Sequence, residues 1–354
     1  MKAAIYYGAG DVRCGEVPDP KIQEPTDVIL RTKTTSICGS DLYIYHGQMD
    51  AIVQKGHTTL GHEIVGVVEE VGKEVTRFKK GDRVTFPYSV SCGYCYFCRL
   101  GQTAHCSTSQ KAIYGYGVAF GDLGGSQAQY VRVPMADAHL EHVPESISDE
   151  QGLFLSCNLP AALFAVESGQ IQPGDHVVVL GCGPTGLLAL QLAAQLSPAK
   201  LIAVDAIPHR LEQARELGAT HVLNFEKENI VERVIELTEG RGADVILEVA
   251  GQGPAFKTAL SLARPGGTIS GIGVYVEQDF GVSLFDMYFK NLTIRLNGFA
   301  NAKMRMWRAA QLIERGKIDP SRLLSHTFSL DEVDKAYKTF ATRSDNALKM
   351  LIRP

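Results

Sequence analysis

HVVVLGCGPTG, residues 176–186, reads as a buried strand, a glycine turn and the start of a helix. The apolar run from His176 to Leu180 has the length of a strand covered on both faces. Gly181, Gly183 and Gly186 follow with the spacing G-x-G-x-x-G, and Pro184 and Thr185 lead into a helix-like run, Leu187 to Leu196. That spacing alone is weak evidence; a strand before it and a helix after it make it strong. Gly181 permits the tight turn, Gly183 lets the backbone approach a pyrophosphate, and Gly186 lets helix and strand pack closely. The helix N-terminus offers free N–H groups and the positive end of its dipole to phosphates.

Downstream the same alternation repeats. Strand-like runs at Leu201–Val204, His221–Leu223, Asp244–Val249, Thr268–Ile272 and Leu292–Leu296 alternate with helix-like runs at Arg210–Leu217, Asn229–Leu237 and Ala255–Ala263. Strands alternating with helices predict an α/β fold with a doubly wound parallel sheet of the Rossmann type. Asp205 ends the second strand, nineteen residues after Gly186. A carboxylate there accepts hydrogen bonds from a ribose 2′-OH and repels a 2′-phosphate, which predicts NAD over NADP. The competing reading has Asp205 capping the next segment. Arg210 is a further candidate cofactor contact; with His209 it would soften the NAD preference, unless both are solvated helix residues. Val249, Ile272 and Val274, near the ends of later strands, complete the candidate cofactor set.

Upstream the pattern differs. DVILRTKTT, HEIVGVVEEVG, DRVTFPY and AQYVRVP are short β-branched runs between Gly, Pro and Asp breaks, the signal of closely spaced strands. Residues 1–148 therefore read as mostly β and 149–297 as the nucleotide-binding domain. The tail, 298–354, holds a helix near Arg308–Glu314 and a closing strand near Leu348–Ile352; by itself it leaves open a return to the first domain. A length of 354 residues agrees with two domains. The formal charge of -4, without a basic cluster, argues against nucleic acid. The longest apolar stretch, Leu187–Leu196, is interrupted by Gln191 and Gln195 and is too short to span a bilayer. MKAAIYYGAG lacks an apolar leader core, so the 8 cysteines read as reduced thiols in a cytoplasm.

Within the β half, Cys92, Cys95, Cys98 and Cys106 are spaced C-x2-C-x2-C-x7-C, in a lobe at about 90–107. A structural zinc closes all four tetrahedral positions with protein ligands, and thiolates this near in sequence can wrap one ion. The competing reading is a pair of disulfides, which cysteines two residues apart rarely form without strain.

Four scattered features invite a joint reading. Cys38 lies in ICGSD, His62 and Glu63 follow Gly61, and Cys157 lies in LSCNLP. Cys38, His62 and Cys157 supply three ligands, the count of a catalytic zinc with one open position. Such an ion is a Lewis acid that lowers the pKa of a coordinated alcohol or water. Taken singly, each residue has a plainer reading, a buried cysteine being usually a small hydrophobe. Cys14 and Cys182 keep that reading.

With CGSD at Cys38–Asp41, GHE at Gly61–Glu63, the four-cysteine lobe and GCGPTG at Gly181–Gly186, the chain resembles the zinc-dependent medium-chain alcohol dehydrogenases from end to end. Within that family it is similar to bacterial broad-range alcohol and formaldehyde dehydrogenases. The resemblance implies a GroES-like β catalytic domain, 1–148 with 298–354, around an inserted Rossmann domain, 149–297. It implies NAD, two zinc ions per chain, a small alcohol or aldehyde substrate, and a homotetramer or dimer. Cys38 and His62 match zinc ligands, and Cys157 falls at the third ligand's position. Glu63 matches a carboxylate that can approach the metal, and Asp41 one that orients the liganding histidine. Ser40 matches the hydroxyl that accepts the substrate's proton, Tyr88 an aromatic of the substrate pocket, and Lys349 a basic residue near the pyrophosphate.

Two positions depart from the family pattern. Tyr43 stands where a histidine often passes the proton to solvent; a phenol that ionises near pH 10 is a poor base at neutral pH, and His46 is the substitute within reach. Ala161 and Ala162 replace a Thr-Gly pair whose threonine packs on the nicotinamide. Other readings are a polyol dehydrogenase, a formaldehyde dismutase or dehydrogenase with tightly held NAD, and a zinc- and dinucleotide-binding structural or sensor protein. The substrate pocket is expected from segments 49–57, 114–123 and 275–288, the second of them aromatic and glycine-rich.

Overall fold

Among the described residues seven strands precede His176: β1 (Lys2–Gly8), β2 (Asp11–Glu16), β3 (Val28–Ile37), β4 (Ile64–Val71), β5 (Arg83–Thr85), β6 (Tyr130–Val133) and β7 (Glu141–His142). β3 is rich in Val, Ile and Thr, side chains that suit a pleated surface. It is central: β4 and β6 pair with it antiparallel. The computed structural model describes residues 1–277 and 279–354. Gln278, inside the expected pocket segment 275–288, lies outside the described residues.

From His176 the chain follows the predicted alternation: β8 (His176–Leu180), β9 (Lys200–Asp205), β10 (His221–Asn224), β11 (Ala243–Glu248), β12 (Ala263–Gly271) and β13 (Thr293–Leu296). They form a parallel sheet in the order β10-β9-β8-β11-β12-β13. The order reverses between β8 and β11, and ligands of such sheets bind in the crevice at the strands' carboxyl ends. β8 and β11 are buried along their whole length, as strands covered on both faces must be. β12 begins five residues before the expected Thr268.

The tail adds the helices Met306–Glu314 and Val333–Thr342 and the strands β14 (His326–Ser329) and β15 (Met350–Arg353). β15 pairs antiparallel with β3, which completes the sheet order β14-β15-β3-β4-β5-β7. The described residues form two units, 1–160 with 301–354, and 161–300. The first division falls inside the helix Asn158–Gly169, which the sequence reading did not anticipate.

Candidate metal and dinucleotide sites

Cys92, Cys95, Cys98 and Cys106 converge without a disulfide, their sulfurs within 4.8 Å of one another. Cys92 and Cys98 are 4.0 Å apart, and Cys95 and Cys106 3.9 Å. A disulfide needs about 2.05 Å. Four sulfurs about 2.3 Å from one zinc in a tetrahedron stand about 3.8 Å apart, so the spacing fits a metal. The loop is built to support thiolates. Cys95 N–H donates to Cys92 Sγ at 3.3 Å, and the N–H groups of Cys92 and Ser109 donate to Cys106 Sγ at 3.4 Å each. A hydrogen bond from the Cys98 backbone leads the effects that pull Cys95 down to about 5, while burial pushes Cys98 up to about 12.

Cys38, His62, Glu63 and Cys157 form a second group, again with ligand atoms within 4.8 Å of one another. Strand register assembles it. Cys38 follows the last residue of β3, and His62 and Glu63 immediately precede β4. Thr35 pairs with Ile64, so Glu63 stands opposite Ser36, whose hydroxyl donates to its carboxylate. Ile37 pairs with Met350, so Lys349 stands opposite Cys38. Ser156 fixes the neighbouring Cys157: its Oγ accepts the Ile64 N–H at 3.1 Å, and its carbonyl accepts the Tyr88 N–H at 3.1 Å.

His62 Nδ1 faces Asp41 Oδ1 at 3.2 Å, leaving Nε2 for a metal. Asp41 Oδ2 accepts the Cys38 N–H at 2.9 Å. Burial pulls the His62 pKa down, but Asp41 and Cys38 outweigh it and hold it well above the ordinary histidine value. The hydrogen bond from Cys157 holds Cys38 well below the usual thiol range; the same bond and burial push Cys157 up. The cluster therefore stabilises positive charge at the ring, and a cation bound there would replace the imidazole proton. Two sulfurs, one nitrogen and a carboxylate in reserve are a donor set that fits zinc.

Lys349 belongs to the same buried network. Its ammonium pairs with Glu63, both residues being 1% exposed, and lies 5.8 Å from the Phe154 ring centroid. Burial lowers its pKa, yet Glu63 and Cys38 raise it further, so it stays charged. The ammonium is closed from water and held by Glu63 beside the Cys38 group.

Ser40 is half-buried at the start of the helix Asp41–Tyr45 and hydrogen-bonded to Tyr116. Tyr43 is half-buried on that helix, and His46, its C-cap, is exposed. The rings of Tyr116 and Tyr88 stand edge-on to His62 at 5.7 and 6.3 Å. Tyr116 belongs to the aromatic, glycine-rich run 114–123, whose spacing alone did not mark it as a site residue. Gln127 and Tyr337, also missed, lie behind Asp41: Gln127 Nε2 donates to its Oδ2 at 3.3 Å, and Tyr337 donates to Gln127 Oε1 at 2.9 Å. No local pattern announces a contact between residues 210 positions apart.

In the unit 161–300, Gly183 caps the helix Pro184–Ala194, with Pro184 in its first turn and Thr185 and Gly186 following. A Cβ on Gly186 would stand 1.9 Å from the Gly181 carbonyl oxygen, so no side chain fits. A Cβ on Gly183 would meet nothing within 4 Å. That glycine leaves an open approach to the helix N-terminus, as a pyrophosphate requires. Asp205 is buried; its carboxylate accepts the N–H groups of Cys182 at 2.7 Å, Ala206 at 2.8 Å and Ile207 at 2.9 Å. A carboxylate has about four acceptor positions, so one remains for a ribose hydroxyl. Capping and ribose binding are therefore compatible. Arg210 is buried in the helix Pro208–Glu216, against the solvated reading. Val249 and Ile272 directly follow β11 and β12, with Val274 two residues on. Val249 N–H bonds to Leu180 O at 2.9 Å and Ile272 N–H to Glu248 O at 2.9 Å, which seats both at the strand ends.

Residues 24–145 match the alcohol dehydrogenase GroES-like domain, and residues 184–315 the zinc-binding dehydrogenase domain. The chain belongs to the zinc-dependent medium-chain alcohol dehydrogenases. It is an oxidoreductase with a GroES-like domain and a Rossmann domain. An uncharacterized zinc-type alcohol dehydrogenase-like protein of Bacillus subtilis is 35% identical, covering 100% of both chains. The alcohol dehydrogenase of Thermus sp. ATN1 superposes with a TM-score of 0.92 at 38% identity, over 100% of this chain and 99% of the other. A zinc-binding dehydrogenase of Sinorhizobium meliloti bound to NADP is 28% identical (TM-score 0.83, 100% and 99% covered). An Escherichia coli alcohol dehydrogenase complexed with NADH is 28% identical (TM-score 0.84, 100% and 99% covered).

Proposed function

We propose that this member oxidises small-molecule alcohols with NAD, reduces aldehydes or ketones in reverse, and carries two zinc ions per chain. The observation that supports it best is the convergence of Cys38, His62 and Cys157 beside Ser40, while four further cysteines close a separate cluster. Zinc, when bound, supplies a Lewis acid to the substrate oxygen, and the nicotinamide exchanges a hydride with the substrate carbon. Cys38, His62 and Cys157 hold the reactive ion, with Glu63 in reserve; Cys92, Cys95, Cys98 and Cys106 hold the other. Asp41 keeps His62 in one orientation. Ser40 takes the hydroxyl proton, and Tyr43 or, as its alternative, the exposed His46 passes it outward. Tyr88 and Tyr116 cover the His62 ring and exclude water. Gly183, Thr185 and Gly186 receive the pyrophosphate, and Asp205 accepts the ribose hydroxyl and disfavours a 2′-phosphate.

The deciding assay follows NADH formation from primary, secondary and aromatic alcohols, with a chelated sample and NADP⁺ in parallel. Chelator-sensitive NADH formation is the expected result. Absence of turnover with both metals present would overturn the reading, and equal use of NADP⁺ would remove only the role given to Asp205. The cysteines, all free of disulfides, support a cytoplasmic location. Among the described residues no single helix is long and apolar enough to cross a membrane. Leu284, Phe285, Tyr288 and Phe289, 64 to 76% exposed, support a homo-oligomer, which light scattering would test.

A further inference from the structure

Gln127 and Tyr337 are fully buried polar residues that the proposed chemistry does not use. Gln127 directs its amide hydrogens to two acceptors, Ser36 O at 3.0 Å and Asp41 Oδ2 at 3.3 Å. Two hydrogens and two acceptors fix the amide's orientation, so Oε1 is left to accept, and Tyr337 supplies that hydrogen at 2.9 Å. The backbone is equally restrained. Gln127 N–H donates to Leu60 O at 2.9 Å, and Gln127 O accepts from Ala4 at 2.8 Å. Gly61, at φ +97, lies so close that a Cβ there would stand 2.5 Å from Gln127 Cγ. The glycine before His62 is thus required by the residue that braces Asp41.

We propose that Gln127, held by Tyr337, is a positioning residue for the reactive metal site: it sets the Asp41 carboxylate, which sets both His62 and Cys38. The inference rests on the metal reading of Cys38, His62 and Cys157. Asp41 serves two ligands at once, Oδ2 accepting the Cys38 N–H and Oδ1 facing His62 Nδ1. Among the described residues neither Asp41 Oδ1 nor His62 Nδ1 makes a hydrogen bond to any other group, so the ring's orientation depends on where that carboxylate, 3.2 Å away, is held. Groups behind a metal ligand typically change affinity about 10- to 100-fold when lost.

The test is metal release from the zinc-loaded protein into a chromophoric chelator, which the two clusters should give as two phases. Cys38→Ser identifies the phase belonging to the lobe. Gln127→Leu should speed the other phase about tenfold or more, and Tyr337→Phe a few-fold, because Gln127 keeps its bonds to Asp41 and Ser36. The lobe phase should not move in either. Cobalt placed in the Cys38 cluster should show altered ligand-field bands in Gln127→Leu. Unchanged release and bands would overturn the role of Gln127. Equal acceleration of both phases would also overturn it, by showing general loosening. Wild-type protein that takes up metal only in the lobe would sink the metal reading itself. Should Gln127→Leu not fold, Tyr337→Phe carries the same comparison.

Discussion

The two candidate metal clusters are built on opposite plans. The four-cysteine lobe takes every ligand from one short loop, and backbone N–H groups within that loop support two of its sulfurs. The Cys38 cluster is assembled by the pairing of β3 with β4 and the docking of Ser156 on Ile64, and β15 brings Lys349 beside it. Three charged residues, Asp41, Glu63 and Lys349, are shut in around it, each 1% exposed. Buried ion pairs add little net stability, because desolvation offsets their attraction. Their burial here is therefore better explained by the field they impose on the ligands than by stability. A closed set of four thiolates leaves no position for a substrate, whereas three ligands with a carboxylate in reserve leave one. On the proposed reading the lobe fastens a loop, and the other cluster is held by the fold and organised for chemistry.

That contrast predicts opposite damage. His62→Ala should reduce turnover about 10⁴-fold or more while the four-cysteine lobe keeps its zinc, because the Lewis acid loses a ligand. Cys98→Ser should release one zinc and lower the midpoint, while freshly prepared protein keeps turnover within about threefold. Metal analysis, calorimetry and initial rates on both variants decide it; a Cys98→Ser variant as inactive as His62→Ala would erase the distinction. Next in size is Lys349→Met, which strands the buried Glu63 carboxylate. The expected cost is about 3–5 kcal/mol in urea unfolding, most of it recovered by adding Glu63→Gln. A loss below about 1 kcal/mol would show that the pair is not held charged.

Legibility follows the same contrast. The glycine turn and its flanking strand and helix are contiguous, so sterics and periodicity exposed them; the lobe was legible because spacing alone brings its sulfurs together. Cys38 and Cys157 carry no local signal: donor count alone joins them only weakly to His62, and the family resemblance is what strengthens that joint reading. The helix Asn158–Gly169 escaped because it is buried nearly all round, so no polar stripe marks a 3.6-residue period. Val333, Ala336, Tyr337 and Phe340 do have helical spacing, a signal the tail holds. That Tyr337 then reaches Gln127 is a tertiary fact. Lys349 was recognisable as an important cation, but its partner was set by the register of β15 on β3.

The smallest expected effect lies on the short helix Asp41–Tyr45. Ser40, Tyr43 and His46 follow one another at three-residue steps, a spacing that places side chains on one helical face. Ser40 adjoins the site through Tyr116, so Ser40→Ala should lower turnover about 100-fold, the ordinary yield of a positioned proton acceptor. Tyr43 stands one step outward, where water and His46 offer a parallel route. Tyr43→Phe should therefore lower turnover only about two- to fivefold, and His46→Gln less. The double variant should lose more than the product of the single losses, because each residue serves as the other's alternative. Strict multiplication of the two losses would show independent roles and remove the idea that one substitutes for the other. A Ser40→Ala enzyme as active as the wild type would break the relay one step earlier, at the substrate.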